Sequence, residues 1–143
     1  MNKSYNLPCN IANTLDIIGD RWTLLIIRDL LLSRRRFNDL KGSLEGISPN
    51  ILSDRLQSLE KSGIITSRLY SQHPPRYEYK LTPKGYELKH VLAAIAIWGN
   101  RNLETTYTRL VHSDCGTEVE LSYYCPHCDK HTGDIALEPV SLR

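Results

Sequence analysis

A chain of 143 residues with 41% hydrophobic residues can bury a real core, and its 18 Lys/Arg against 16 Asp/Glu leave a net charge of +2. No run approaches the roughly 18 to 20 unbroken apolar residues of a bilayer crossing, and residues 1–9 lack the apolar stretch of a secretory signal, so the chain reads as cytoplasmic with no membrane partner. In a reducing compartment its 4 cysteines are thiols or metal ligands sooner than a disulfide framework.

Residues 11–18 place Ile11, Leu15 and Ile18 at helical spacing until Gly19 interrupts. Asp20 can cap the next helix, in which Trp22, Leu25, Ile26 and Leu30 recur at three and four residues and Leu24, Ile27 and Leu31 widen the apolar arc into the spine of a core. After the basic cluster at 33–36, residues 37–44 give a short amphipathic helix with Phe37, Leu40 and Leu44 inward. Residues 45–47 turn the chain. Ser48 and Pro49 then supply a cap and a proline at the first helical position. That helix runs to about Ser62, with Ile51, Leu52, Leu56 and Leu59 on one arc and Gly63 as its terminating glycine. Residues 64–70 and 76–81 are β-branched, aromatic and alternating, separated by a break at 71–75, and predict a hairpin with a basic, proline-stiffened tip. Thr82-Pro83 repeats the cap-plus-proline signal and opens one long helix through Leu88, Val91, Leu92, Ile95, Trp98 and Leu103. From Thr105 only short β-prone pieces remain, at 110–111 and 119–124, and residues 134–143 read as a loose end.

Two short helices joined by a turn and followed directly by a hairpin are the order of a winged helix-turn-helix. The expected fold is therefore mainly α with a small β-hairpin wing, spanning residues 1–104, followed by a zinc-ribbon-like tail over 105–143. A helix that enters the major groove needs a buried side that fixes its angle and an exposed side of short polar groups. Residues 48–60 offer both, so Ser48, Asn50, Ser53, Asp54, Arg55 and Gln57 are candidate contacts to double-stranded DNA, Asn and Gln suiting adenine and Arg guanine. Gln72, His73 and Arg76 at the hairpin tip can lie along the adjacent backbone or minor groove, and Arg34, Arg35 and Arg36 can clamp phosphates. The charge agrees: residues 1–103 carry +6 and residues 104–143 carry −4, a basic front that suits a polyanion.

Residues 14–30 (TLDIIGDRWTLLIIRDL), 36–40 (RFNDL), 47–60 (ISPNILSDRLQSLE) and 75–85 (PRYEYKLTPKG) together resemble the HxlR family of bacterial winged helix-turn-helix regulators, relatives of the MarR group. The resemblance covers residues 9 to about 103. It implies a homodimer on a pseudo-palindromic operator, paired through the N-terminal segment and the long helix after the wing, with recognition helices in successive major grooves about 34 Å apart. It assigns recognition to residues 48–59 and the wing to residues 70–77, and it allows a small-molecule or oxidant effector. Cys9 stands where this family often has a cysteine that in some members responds to oxidants. Its residue context offers only a helix start to lower the thiol's pKa, and the alternative is a small hydrophobe at the dimer interface.

In the tail, His112 and Cys115, then Cys125 and Cys128, form ligand pairs at x2 spacing on either side of a nine-residue gap. Two such knuckles complete a tetrahedral Cys3His site for a structural zinc ion. His131 is an alternative to His112, while His127, inside the second knuckle, is expected to face out. A reversible Cys125–Cys128 disulfide, or thiols without a role, are the competing readings. No GxGxxG, GxxxxGK or GxSxG pattern occurs, and the CxxC lacks the βαβ surroundings of a thioredoxin-like motif, so an enzyme is not expected. A protein-interaction module built on the zinc ribbon is the remaining alternative to a DNA-binding regulator.

Overall fold

The computed structural model describes residues 3–140. Six helices and two small antiparallel sheets are formed: α1 (Asn10–Ile18), α2 (Thr23–Leu31), α3 (Phe37–Ser43), α4 (Pro49–Lys61), β1 (Ile65–Gln72), β2 (Pro75–Leu81), α5 (Pro83–Tyr86), α6 (Lys89–Asn102), β3 (Tyr123–Cys125) and β4 (Lys130–Thr132). By compactness the chain divides into Met1–Leu92 and Ala93–Arg143, a boundary inside α6 rather than after residue 104.

In the first unit the core is the apolar spine read from the sequence. Ile26 and Ile27 of α2 are fully buried, as are Leu40 of α3, Leu52, Leu56 and Leu59 of α4, and Ile65 of β1. They join Ile18, Leu44, Ile47 and Leu81 in a single cluster. Each buried aliphatic side chain removes enough apolar area from water to contribute about 1.5 to 3 kcal/mol, so three leucines seat α4 firmly. Asp20 caps α2 as expected, its Oδ1 accepting from the Trp22 and Thr23 amides at 2.9 and 3.1 Å, and the buried Thr23 hydroxyl donates to its other oxygen. Ile11 and Leu15 do not follow Ile18 inward: they are 56% and 41% exposed, so the apolar face of α1 is only partly covered by its own chain. Ile51 likewise stands outside the expected arc, because Leu52, Leu56 and Leu59 centre the buried face of α4 and leave Ile51 at its margin.

The end of α4 is closed by two backbone bonds, Gly63 N to Glu60 O at 3.1 Å and Ile64 N to Leu59 O at 2.9 Å. This close requires a left-handed residue after the cap, and Gly63 supplies it with φ of +72°. β1 and β2 then pair antiparallel from Ile65 with Leu81 to Gln72 with Pro75, with an irregularity between Leu69 and Ser71. The strands thus extend into the segment expected to be a break, and the turn is only His73 and Pro74.

Thr82 gathers the next elements. Its amide donates to Ile64 O at 3.0 Å, its hydroxyl donates to Gly63 O at 2.6 Å, and the same hydroxyl accepts from the Gly85 amide at 3.1 Å. Lys84 Nζ adds a bond to Ser62 O at 2.7 Å. The single long helix expected from Thr82 is instead two, α5 and α6. The cause is tertiary: a Cβ at Gly85 would meet Ile64 O at 2.2 Å, so this turn is pressed against the strand, and the chain re-aims through Glu87 and Leu88 before helix resumes.

In the second unit no residue of α6 is buried, and Ile95 and Trp98 are 51% and 63% exposed. The strand expected over 119–124 forms only from Tyr123, where β3 pairs with β4 through Tyr123–Thr132, Tyr124–His131 and Cys125–Lys130. Upstream, Val111 bridges Glu118. Residues 134–140 form no helix or strand, and residues 141–143 of the expected loose end lie outside the described residues.

Candidate nucleic-acid interface

α3, the turn through Gly46 and α4 form the helix-turn-helix, and the turn is possible because Gly46 takes φ of +89°. Ser48 caps α4 by accepting from the Ile51 amide at 3.2 Å, which occupies its hydroxyl at the helix start. One turn further, Asn50, Ser53, Asp54 and Gln57 are all exposed, opposite the buried Leu52, Leu56 and Leu59. This is the two-sided helix that a groove reader needs, a fixed back and a front of short hydrogen-bonding groups.

Arg55 lies differently. Its Nε is 3.7 Å from Asp20 Oδ1, with the two side chains 28% and 11% exposed, so Arg55 ties α4 to the capped start of α2.

The arginine triplet divides its labour. Arg34 Nη1 reaches Asp29 Oδ1 at 3.1 Å, where Arg28 Nη2 also lies at 2.8 Å. Asp29 is fully buried at the end of α2 and among the described residues its second oxygen has no partner, so these two cations neutralise it. Arg36 lies across the wing: its Nη2 is 3.4 Å from Glu78 Oε1 and its Cζ stands 4.3 Å from the Tyr70 ring centre. Arg35 is exposed and, among the described residues, has no ion pair; its carbonyl accepts from the Tyr79 amide at 2.8 Å. Gln72, His73 and Arg76 are exposed around the hairpin turn. One wing cation escaped the sequence reading. Arg68 on β1 pairs with Glu78 Oε2 at 3.2 Å yet keeps a side chain 81% exposed, and the alternation of strand residues was the signal that could have placed it beside Arg36.

Cys9 is exposed and occupies the N-cap position of α1, with no side-chain cap bond. In the second unit the Cys/His residues come together as two pairs. His112 Nδ1 is 3.3 Å from Cys115 Sγ. Cys125 and Cys128 bound the other turn, and the Cys128 amide and side chain together with the His127 amide hydrogen-bond the Cys125 sulfur and hold its thiol below the ordinary value. The Thr117 hydroxyl and amide do the same for Cys115. Among the described residues, no three His, Cys, Asp or Glu side chains gather at one point. His131 bonds Ser122 Oγ through Nδ1 at 3.0 Å, and His127 Nδ1 lies 3.8 Å from Cys128 Sγ.

The profile of the HxlR-like helix-turn-helix family matches residues 17–107. The uncharacterized HTH-type transcriptional regulator Rv3095 of Mycobacterium tuberculosis (strain ATCC 25618 / H37Rv) is 35% identical over 122 residues, 83% of this chain and 77% of that protein. Among solved structures, PA1607 superposes with a TM-score of 0.75 at 34% identity over 85% of this chain and 87% of its own. The redox regulator HypR in its oxidized form gives a TM-score of 0.62 at 31% identity, over 68% of this chain and 100% of its own.

Proposed function

Since the chain belongs to the HxlR-like helix-turn-helix family, we propose that it is a sequence-specific DNA-binding transcriptional regulator acting as a homodimer on a pseudo-palindromic operator. The observation that carries this reading is α4: buried Leu52, Leu56 and Leu59 fix it, and Asn50, Ser53, Asp54 and Gln57 face outward. Asn50 and Gln57 read base edges in the major groove, adenine being the base their amides match. Arg76 and Arg35, exposed and unpaired among the described residues, contact phosphate, and His73 and Gln72 carry the wing along the neighbouring backbone.

Dimerisation rests on apolar surface that one chain leaves uncovered. On α1 and the segment before it, Tyr5, Leu7, Ile11 and Leu15 are exposed, and on α6 so are Val91, Ile95 and Trp98. Exposed apolar rows of this kind mark association surfaces. A pair of protomers would set two copies of α4 in successive major grooves about 34 Å apart. An oxidant can act on this assembly through Cys9, an exposed thiol at the N-cap of α1. Its disulfide partner would be a thiol of the second subunit or a small thiol.

Fluorescence anisotropy against DNA from upstream of its own and neighbouring genes, over a salt series and with random duplex as control, tests the reading. Tight binding to one fragment with a steep salt slope is the expected result. Equal binding to all duplexes at every salt concentration, with and without reductant, would overturn it in favour of a protein-interaction module.

A further inference from the structure

Residues 105–140 fold into closed turns without a core. Val111 bridges Glu118 and β3 pairs with β4, yet no side chain in this stretch is buried. Segments this small do not hold such turns by apolar burial and need a staple. We propose that His112, Cys115, Cys125 and Cys128 bind a zinc ion, the two turns serving as its two knuckles.

Each knuckle is already shaped. In the first, the Gly116 amide donates to His112 O at 2.8 Å and the His112 amide to Thr117 O at 2.8 Å. Gly116 takes φ of +70°, which brings the chain round tightly enough to set His112 Nδ1 at 3.3 Å from Cys115 Sγ. A nitrogen and a thiolate sharing one tetrahedral zinc, at bond lengths of about 2.1 and 2.3 Å, stand about 3.6 Å apart. The pair is therefore near its bound separation. The other imidazole nitrogen, Nε2, has Asp114 Oδ2 at 3.8 Å. Coordination through Nδ1 leaves the proton on Nε2, free to donate to an acceptor of its own, the arrangement by which histidine ligands are oriented.

The second knuckle repeats the plan. Cys125 pairs with Lys130 across the hairpin, and the turn between them closes with Asp129 at φ of +49°.

Register identifies the fourth donor. Tyr124 pairs with His131 and Cys125 with Lys130, so His131 lies on the opposite face of this hairpin from Cys125. Its Nδ1 is occupied by Ser122, and its ring packs 5.5 Å from that of Tyr124. His112 is the ligand instead. Among the described residues the two pairs do not meet, so each is a half-site, and the metal draws them together, releasing the protons of three thiols. Four protein donors leave no open position, which makes the ion structural.

The test uses the full chain purified with reductant and does not depend on DNA binding. Metal content by mass spectrometry should be about one zinc per chain. Cobalt added to the stripped protein should give the visible bands of a tetrahedral thiolate complex, bleached by zinc. Cys115→Ser and Cys128→Ser should abolish those bands while helical circular dichroism is kept. His131→Ala should leave them intact. Failure to take up either metal, bands that survive Cys115→Ser, or a Cys125–Cys128 disulfide in the reduced protein would each overturn the proposal.

Discussion

The ion pair between Arg55 and Asp20 can be isolated, because asparagine caps a helix as well as aspartate does. Asp20→Asn therefore keeps the bonds from the Trp22 and Thr23 amides and removes the charge that Arg55 Nε faces at 3.7 Å; the acceptor lost to the Thr23 hydroxyl does not involve Arg55 and cancels in a double-mutant cycle. At an effective dielectric near 20 the gross attraction over that distance is about 4 kcal/mol. Desolvation offsets most of it, since Arg55 is 28% exposed and Asp20 only 11%. Fully exposed pairs retain about 0.2 to 1 kcal/mol, and this one, better shielded, should retain about 1 kcal/mol. The interaction of the carboxylate with the α2 dipole does not involve Arg55 and cancels in a double-mutant cycle. The assay is urea unfolding of the parent, Asp20→Asn, Arg55→Gln and the double variant at one protein concentration, with operator and random-duplex affinities measured alongside. If Arg55 positions α4, the coupling appears and Arg55→Gln weakens both duplexes by a similar small factor. Coupling below about 0.3 kcal/mol, together with a loss of more than about tenfold confined to the operator, would refute this and make Arg55 a base reader.

Three further outcomes separate the roles of other residues. Gln57→Ala should cost about 1 to 3 kcal/mol on the operator and relax preference at one base pair, whereas Arg76→Ala should weaken all duplexes and reduce the salt slope by about one, both read by anisotropy over a salt series. Gly85→Ala places a methyl group 2.2 Å from Ile64 O and should destabilise the first unit by about 1 to 3 kcal/mol in urea unfolding. Ile95→Asp, on the uncovered face of α6, should leave the helical circular dichroism unchanged and shift sedimentation from dimer to monomer, with operator affinity falling in step.

The helices of the first unit were legible because their signals are local. Ser48-Pro49 and Gly63 mark both ends of α4, and the spacing of Leu52, Leu56 and Leu59 marks its buried side. Where the reading failed, the missing information lay elsewhere in space. Periodicity showed that Ile11 and Leu15 share a face with Ile18 but not that their own chain would leave them bare. The cap at Thr82 was correct, and only the approach of Gly85 to the Ile64 carbonyl interrupts the helix it opens. The triplet 34–36 displayed its charge in the sequence while its partners, Asp29 and Glu78, came from different elements. In the tail the Cys/His spacing was plain, but the β-prone residues over 119–124 overstated the strand, because pairing there follows the turn rather than a core.

The Thr82 hydroxyl bonds Gly63, the residue that closes α4, and the Thr82 amide bonds Ile64, the residue just before β1. The helix and the hairpin are therefore not two ligands for DNA joined by a tether. A tethered second contact has an effective concentration set by its linker, and each side chain ordered on binding costs about 0.5 to 1.5 kcal/mol. With the junction already closed, a wing that contacts phosphate as proposed would arrive there in the same step as α4 arrives at the bases, and its contribution to affinity would not be diminished by ordering the chain between them.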